Sequence, residues 1–340
     1  MGALVVLVVA AVGVAALSVR RLDTPAEVPE GFRPPNALPV SAPISPTDLA
    51  FDSDRTGNFE IFAGNPENPT PRQLTDDPRY DSWWPRISPD RRTILFHRSP
   101  KGTHDRDFGK VSLWAIAADG TGAVELRPAG LDGWTVQGHV EWNPAGDRLV
   151  MFGGSRLNPQ IWTTSVTGTS PRQLTDRGGR NLDPSFSSDG SAVWFVGCPK
   201  SICQDDDQEV YRLRLDAGGH ALGEAERMTD DDVRDNDPYE SHDGTRLGWL
   251  TQFGTSGIGV WDVQISDIDE ASGRLDRPRR LVEDRAVTSR PQWSADDETI
   301  VTHRLEPGAS AFDLVRIDVA TGDVTRLAAS SSANDEYPSL

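Results

Sequence analysis

Six residues of mixed chemistry, Trp84, His139, Asp183, Asp237, Arg290 and Tyr337, each stand directly ahead of one short phrase that returns at intervals of roughly 45–55 residues. A histidine and two aspartates brought together could move a proton in general acid–base chemistry. Arginine, tyrosine and tryptophan could grip a peptide or a sugar in a concavity. Trp83 and Trp134 add aromatic surface in irregular stretches nearby. Which of these chemistries is open depends on whether the chain gathers the residues at one place.

The sequence signatures of common catalytic sites are missing. There is no Gly-x-Ser-x-Gly elbow, no His-Glu-x-x-His pair, no phosphate loop and no Gly-x-Gly-x-x-Gly turn after a strand. His97 and His303 fall at the same repeat position, which reads as a structural echo. The runs Asp205-Asp206-Asp207 and Asp230-Asp231-Asp232 offer carboxylate oxygens but lack the alternating spacing of a calcium loop. Neither a metal nor a cofactor is therefore expected. Cys198 and Cys203 bracket one short surface loop with no further zinc ligands beside it, so a local disulfide formed in an oxidising compartment is the expectation.

The elements that must position these residues are repeats. The phrase Pro85-Arg86-Ile87-Ser88-Pro89-Asp90 returns as Val140–Gly146, Pro184–Gly190, Pro238–Gly244 and Pro291–Asp297, and is clipped to Pro338-Ser339-Leu340 at the end. Behind each full copy comes a β-branched or aromatic run such as Thr93–Phe96 or Ala192–Val196, then a third run such as Leu113–Ile116 or Val210–Leu213. A fourth is the most literal, Pro71-Arg72-Gln73-Leu74-Thr75-Asp76 matching Pro171-Arg172-Gln173-Leu174-Thr175-Asp176. Four short antiparallel strands repeated radially make the blade of a β-propeller. The stretch from Asp48 to Thr75 supplies strands two, three and four of a blade, and Tyr337–Leu340 supplies a lone strand one. The reading is thus an all-β, six-bladed propeller of four-stranded blades, closed by the C-terminal strand completing the N-terminal blade, which removes free sheet edges from the ring.

Glu60-Ile61-Phe62, Arg72-Gln73-Leu74-Thr75, Ser88-Pro89-Asp90 and the entry Phe51–Gly57 together resemble the TolB-like propeller family. The likeness covers nearly all of Thr47–Leu340. It implies the propeller fold, and it implies either an envelope scaffold or a substrate-gating domain. Two departures stand out. The Pro-rich spacer ahead of the repeats cannot be the small α/β domain that precedes the propeller in TolB, and Glu240 occupies a slot that holds Ile87, Trp142, Phe186 and Trp293 elsewhere, where it implies a shifted strand or a paired buried carboxylate.

The formal net charge is −18, and in the first 46 residues three arginines offset three acids, so the excess lies on the repeats. Such a surface repels nucleic acid and anionic lipid. Ala3–Val19 is apolar without a break and is followed by Arg20-Arg21, which reads as a signal or transmembrane anchor over residues 1–21. Those arginines favour a cytoplasmic C-terminal side, whereas the Pro-rich linker 22–46 and the cysteine pair favour an extracytoplasmic domain over 47–340, the side adopted here. In a four-stranded blade the two-to-three loops and the blade-to-blade connections share one face. Those are the long, irregular loops of this chain, so binding is expected there. The functional reading is a membrane-tethered, non-enzymatic module for an envelope protein, peptide or glycan, with Trp83, Trp84, Trp134, His139, Asp183, Asp237, Arg290 and Tyr337 as binding residues. The alternatives are a hydrolase or polysaccharide lyase using His139, Asp183 and Asp237, and a gating subunit for a separate catalytic partner.

Overall fold

A computed structural model describes residues 24–198, 207–231, 233–253, 260–269, 271–283 and 286–340. Its strands form six sheets. The first blade joins β1 (Leu49–Ser53), β2 (Glu60–Gly64) and β3 (Arg72–Gln73) to β25 (Asp335–Ser339), the last strand of the chain. The second holds β4 (Tyr80–Ile87), β5 (Thr93–Pro100), β6 (Ser112–Ala117) and β7 (Val124–Arg127); the third β8 (Val136–Trp142), β9 (Arg148–Ser155), β10 (Asn158–Ser165) and β11 (Arg172–Gln173). The fourth holds β12 (Arg180–Phe186), β13 (Ala192–Cys198), β14 (Glu209–Arg214) and β15 (Glu226–Arg227); the fifth β16 (Arg234–Glu240), β17 (Arg246–Phe253), β18 (Val260–Ile268) and β19 (Leu275–Arg280). In the sixth, β20 (Val287–Thr288) and β21 (Gln292–Trp293) share the inner position beside β22 (Thr299–Leu305), β23 (Asp313–Asp318) and β24 (Val324–Arg326). β25 pairs antiparallel with β1, so the expected closure of the ring by the C-terminus is the observed one.

The strand-two runs are buried on both faces because blades stack face to face. Val150, Phe152, Val193 and Phe195 of two successive blades share one cluster. The repeated phrase proves to be scaffold. Ser88, Ser187, Ser241 and Ser294 each donate a hydroxyl to the aspartate two residues on, at 2.6–2.8 Å, and each carbonyl accepts the amide three residues on. The fourth turn position is left-handed in every full copy, at Arg91, Gly146, Gly190, Gly244 and Asp297. Glu240 keeps the register of its neighbours, opposite Leu247, so its strand is not shifted. Its carboxylate accepts from the Ser188 amide and hydroxyl and from the Trp194 indole, which satisfies it.

The Pro-rich segment departs from a free linker: residues 24–46 are laid along the second blade. A Cβ on Gly130 would overlap the Ala26 carbonyl. Thr93 donates its hydroxyl to the Pro39 carbonyl (2.6 Å), and Ser41 and Ile44 donate their amides to Arg92 and Arg91. Leu38 packs against the cluster that contains Trp83 and Leu126. The expected anchor, residues 1–21, lies outside the described residues, among which no helix is long and apolar enough to cross a membrane.

Candidate functional site

Strand one starts earlier than its sequence phrase, and that moves five of the six candidate residues inside it. Pairing with strand two skips a step between Trp83 and Arg86, Gly138 and Glu141, Leu182 and Ser185, and Asn236 and Tyr239, and β1 shows the same shift against β25. At each of these β-bulges one residue takes a left-handed backbone: Trp84 (φ 56°), His139 (48°), Asp183 (51°), Asp237 (47°) and Tyr337 (48°). Such a φ costs a non-glycine residue on the order of 1–3 kcal/mol and is held only where surrounding structure over-determines it. In the sixth blade the strand breaks there instead, with Arg290 between β20 and β21. The following residue is proline in every blade except the third, and proline bars its predecessor from the right-handed helical region.

Five of these side chains line a recess of about 730 Å³ at the loop face: Trp84, His139, Asp183, Asp237 and Tyr337. Arg290 lies beneath it, 1% exposed, donating to Asp237 (3.1 Å) and Glu141 (2.8 Å). Glu141 also pairs with Arg86, so a buried layer of Arg86, Glu141 and Arg290 lies between this recess and a second one at the turn face, which Arg86 and Glu141 line. Both guanidinium carbons lie over the Trp84 ring, at 4.3 and 4.5 Å, and His139 stacks parallel to it at 4.0 Å. Trp84 is therefore largely spent in packing. Trp83 and Trp134 do not line the recess. Trp83 is buried with its indole donating to Ser99 (3.1 Å), and Trp134 is covered by Trp162 and the Arg127 guanidinium. The stacking surface expected of these two is thus internal, because both fill space between blades. Cys198 ends β13, buried, and Cys203 lies outside the described residues.

The electrostatics couple neighbouring blades. Burial opposes a charged His139, but Asp183, bonded to its Nδ1, and Asp105 outweigh burial and hold its pKa up at about 9. Burial and the facing Asp183 raise Asp237 to about 6. Asp105 accepts from the Tyr337 hydroxyl (2.7 Å). Burial drives the other two inner histidines neutral, His97 well down and His303 to about 3; His303 then accepts the Tyr337 amide at 2.9 Å.

His104, Asp105, Asp52 and Glu336 also belong to this site and carry no repeat signal. Asp52 accepts from His104 Nε2 (2.7 Å), and the imidazole stacks on Phe59 at 3.7 Å. Burial works against charge on His104, yet Asp52 raises its pKa to about 9, and burial lifts Glu336 to about 8. His104 and Asp105 come from the long β5–β6 loop, whose length was its only signal. The arrangement can hold charged and polar groups at a closed-bottomed concavity. The donor atoms of His139, Asp183 and Asp237, within 4.8 Å of one another, could also hold a cation or pass a proton.

No family model matches the chain. An uncharacterized protein of Agrobacterium fabrum, Atu1656, is 22% identical over 209 residues, 59% of this chain and 64% of its own length. A protein TolB homolog of Chlorobium luteolum is 27% identical over 172 residues, 51% of this chain and 35% of its own. The chain thus spans less than two thirds of either curated relative. The crystal structure of TolB from Acinetobacter baumannii superposes with a TM-score of 0.65 at 16% identity, covering 86% of this chain and 66% of that one. The architecture is an all-β, six-bladed propeller. More narrowly, it is a TolB-like β-propeller.

Proposed function

We propose that the chain is a non-enzymatic binding module of the cell envelope that takes a protein, peptide or glycan partner at the loop-face recess. The observation that carries this reading is the convergence of strand-one bulges on one recess floored by Arg86, Glu141 and Arg290. A mixed polar and aromatic concavity with a floor suits a partner segment that enters and stops. The TolB-like fold supports an extracytoplasmic setting. In this reading residues 1–21 anchor the protein, 22–46 link it and 47–340 bind, while a Cys198–Cys203 disulfide secures one loop.

The convergence of His139, Asp183 and Asp237 favours one competing reading, a hydrolase or lyase at the same recess. The test uses the full chain as bait on solubilised envelope, with Lys101→Glu/Arg106→Glu, both exposed at the rim, as control. A captured partner is expected, held at least several-fold less well by the variant. Turnover of an envelope polymer that disappears in Asp183→Asn would establish the enzyme instead. Capture of nothing contradicts the binding reading.

A further inference from the structure

Away from the recess, the junction between the fourth and fifth blades buries two acids against each other. Glu209, first residue of β14, is 1% exposed, and Asp235, second residue of β16, is 0% exposed. The Asp235 amide donates to the Gln208 carbonyl (2.9 Å), which sets the two side chains side by side. The same backbone bond joins Ser82 to Phe59 between the first and second blades (2.8 Å), so Glu60 meets a serine there. Between the third and fourth blades the pair is neutral, with Asn181 Nδ2 donating to Gln160 Oε1 at 3.1 Å.

At the acidic junction the partners run out. Glu209 Oε1 accepts from Arg227 and from the Asp231 amide, and Asp235 Oδ1 accepts from the Trp249 indole (3.1 Å) and the Thr251 hydroxyl (2.7 Å). Glu209 Oε2 and Asp235 Oδ2 are buried with no hydrogen-bond partner. The neighbouring Thr229 hydroxyl, which accepts the Val210 amide (2.9 Å), has one proton to give and cannot serve both. Burial pushes the Asp235 carboxyl up to about 7 and the Glu209 carboxyl upward as well. Two buried carboxylates with open oxygens are unfavourable unless something positive joins them.

Asp231, exposed in the connection from β15 to β16, brings a third carboxylate, and donor atoms of the three lie within 4.8 Å of one another. Calcium accepts carboxylates in a flexible shell at about 2.3–2.6 Å, whereas magnesium demands a near-ideal octahedron at about 2.0–2.1 Å and keeps several waters, which suits it less to three side chains fixed by the fold. An all-oxygen set also disfavours zinc, which prefers nitrogen and sulfur. We propose that Glu209, Asp231 and Asp235 bind a calcium ion that clasps the fourth blade to the fifth. The ion would replace the amide–amide bond of the preceding junction. Asp231 belongs to the acidic run whose spacing gave no calcium loop, because its co-ligands come from distant strands.

The test is calcium calorimetry and thermal melting of the full chain, with EDTA as reference. The double variant Glu209→Gln/Asp235→Asn rebuilds the neutral pair of the third and fourth blades, so it is expected to fold. Wild type should bind calcium and gain ~3 °C in Tm at saturation. The double variant should lose that gain and melt above wild type in EDTA. Asp231→Asn, at the surface, should weaken calcium binding about tenfold, and it decides the matter should the double variant fail to fold. A wild type indifferent to calcium would overturn the proposal, and a Tm fall in EDTA between pH 6 and 8 that is steeper in wild type than in the double variant would show that the acids share a proton instead. A calcium gain that survives in both variants would also overturn it.

Discussion

At the turn face five of the six inner strands end in near-copies of one turn, whereas at the loop face five pass through a bulge whose side chain changes around the ring and repeats only as Asp183 and Asp237. Both ends open into a recess, about 790 Å³ at the turn face and about 730 Å³ at the loop face. Size therefore does not tell them apart. At the turn face the polar bonds are repeated and mostly local, serine to aspartate two residues on, with Trp142 and Trp293 indoles donating to the carbonyls of Arg86 and Tyr239 in the preceding blade. At the loop face the bonds link unlike groups across blades: His139 to Asp183, Asp237 to Arg290, Tyr337 to Asp105. Repetition builds the frame, and the chain concentrates strain and charge where repetition stops. Even in the turns that follow strand one, the two non-glycine left-handed positions are put to use. Arg91 donates to the Ser45 and Asp48 carbonyls, and Asp297 accepts the amides of His242 and Asp243.

The largest effect expected follows from removing what both ends share. Deleting Tyr337–Leu340 takes most of β25 from the first blade, leaves β1 an open edge and should lower Tm by about 10 °C or more in a thermal melt. A melt within a degree of wild type contradicts the closure. Next comes the floor of the loop-face recess. Arg290→Ala leaves Asp237 buried without its cation and Glu141 with Arg86 alone, and should cost about 3–5 kcal/mol in denaturant unfolding. Its turn-face counterpart, Ser241→Ala, loses the hydroxyl bond to Asp243 and the one accepted from the Arg246 amide, both local, and should cost about 1–2 kcal/mol. Equal costs at the two ends would erase the distinction.

A smaller effect separates the ends by pH. His139 and His104 are held up at about 9 in the fold, against about 6.5 for a free histidine. Their contribution is fully present below pH 6.5 and is lost as pH rises through 9. Wild-type Tm should therefore fall by a few degrees between pH 6.5 and 9, and His139→Gln should flatten that fall. Ser241→Ala should leave its slope unchanged.

The blade count and the closing strand were legible because each strand type recurs with its own residues, and a lone strand one at Tyr337 could complete only a blade lacking it. The ring of six candidate residues was legible as a position, not as a geometry. A bulge leaves no sequence mark beyond the proline behind it, so Trp84 and His139 read as lying outside a strand they kink. Trp83 and Trp134 show the opposite failure: nothing local says whether an indole points to solvent or between blades. Asp105, His104 and the facing pair Glu209–Asp235 were illegible because each is defined by contact across a junction. The docking of residues 24–46 was hidden for the same reason.

The most direct test of the claim that the loop face is the working face is a hydrogen–deuterium exchange footprint of the captured envelope partner on the full chain. Protection is predicted at the loop-face rim, in peptides spanning Lys101, Arg106 and Asn334, with the turn-face peptides spanning Ser188 and Ala295 unchanged. Protection confined to Ser188 and Ala295 would place the partner in the other recess and contradict the account.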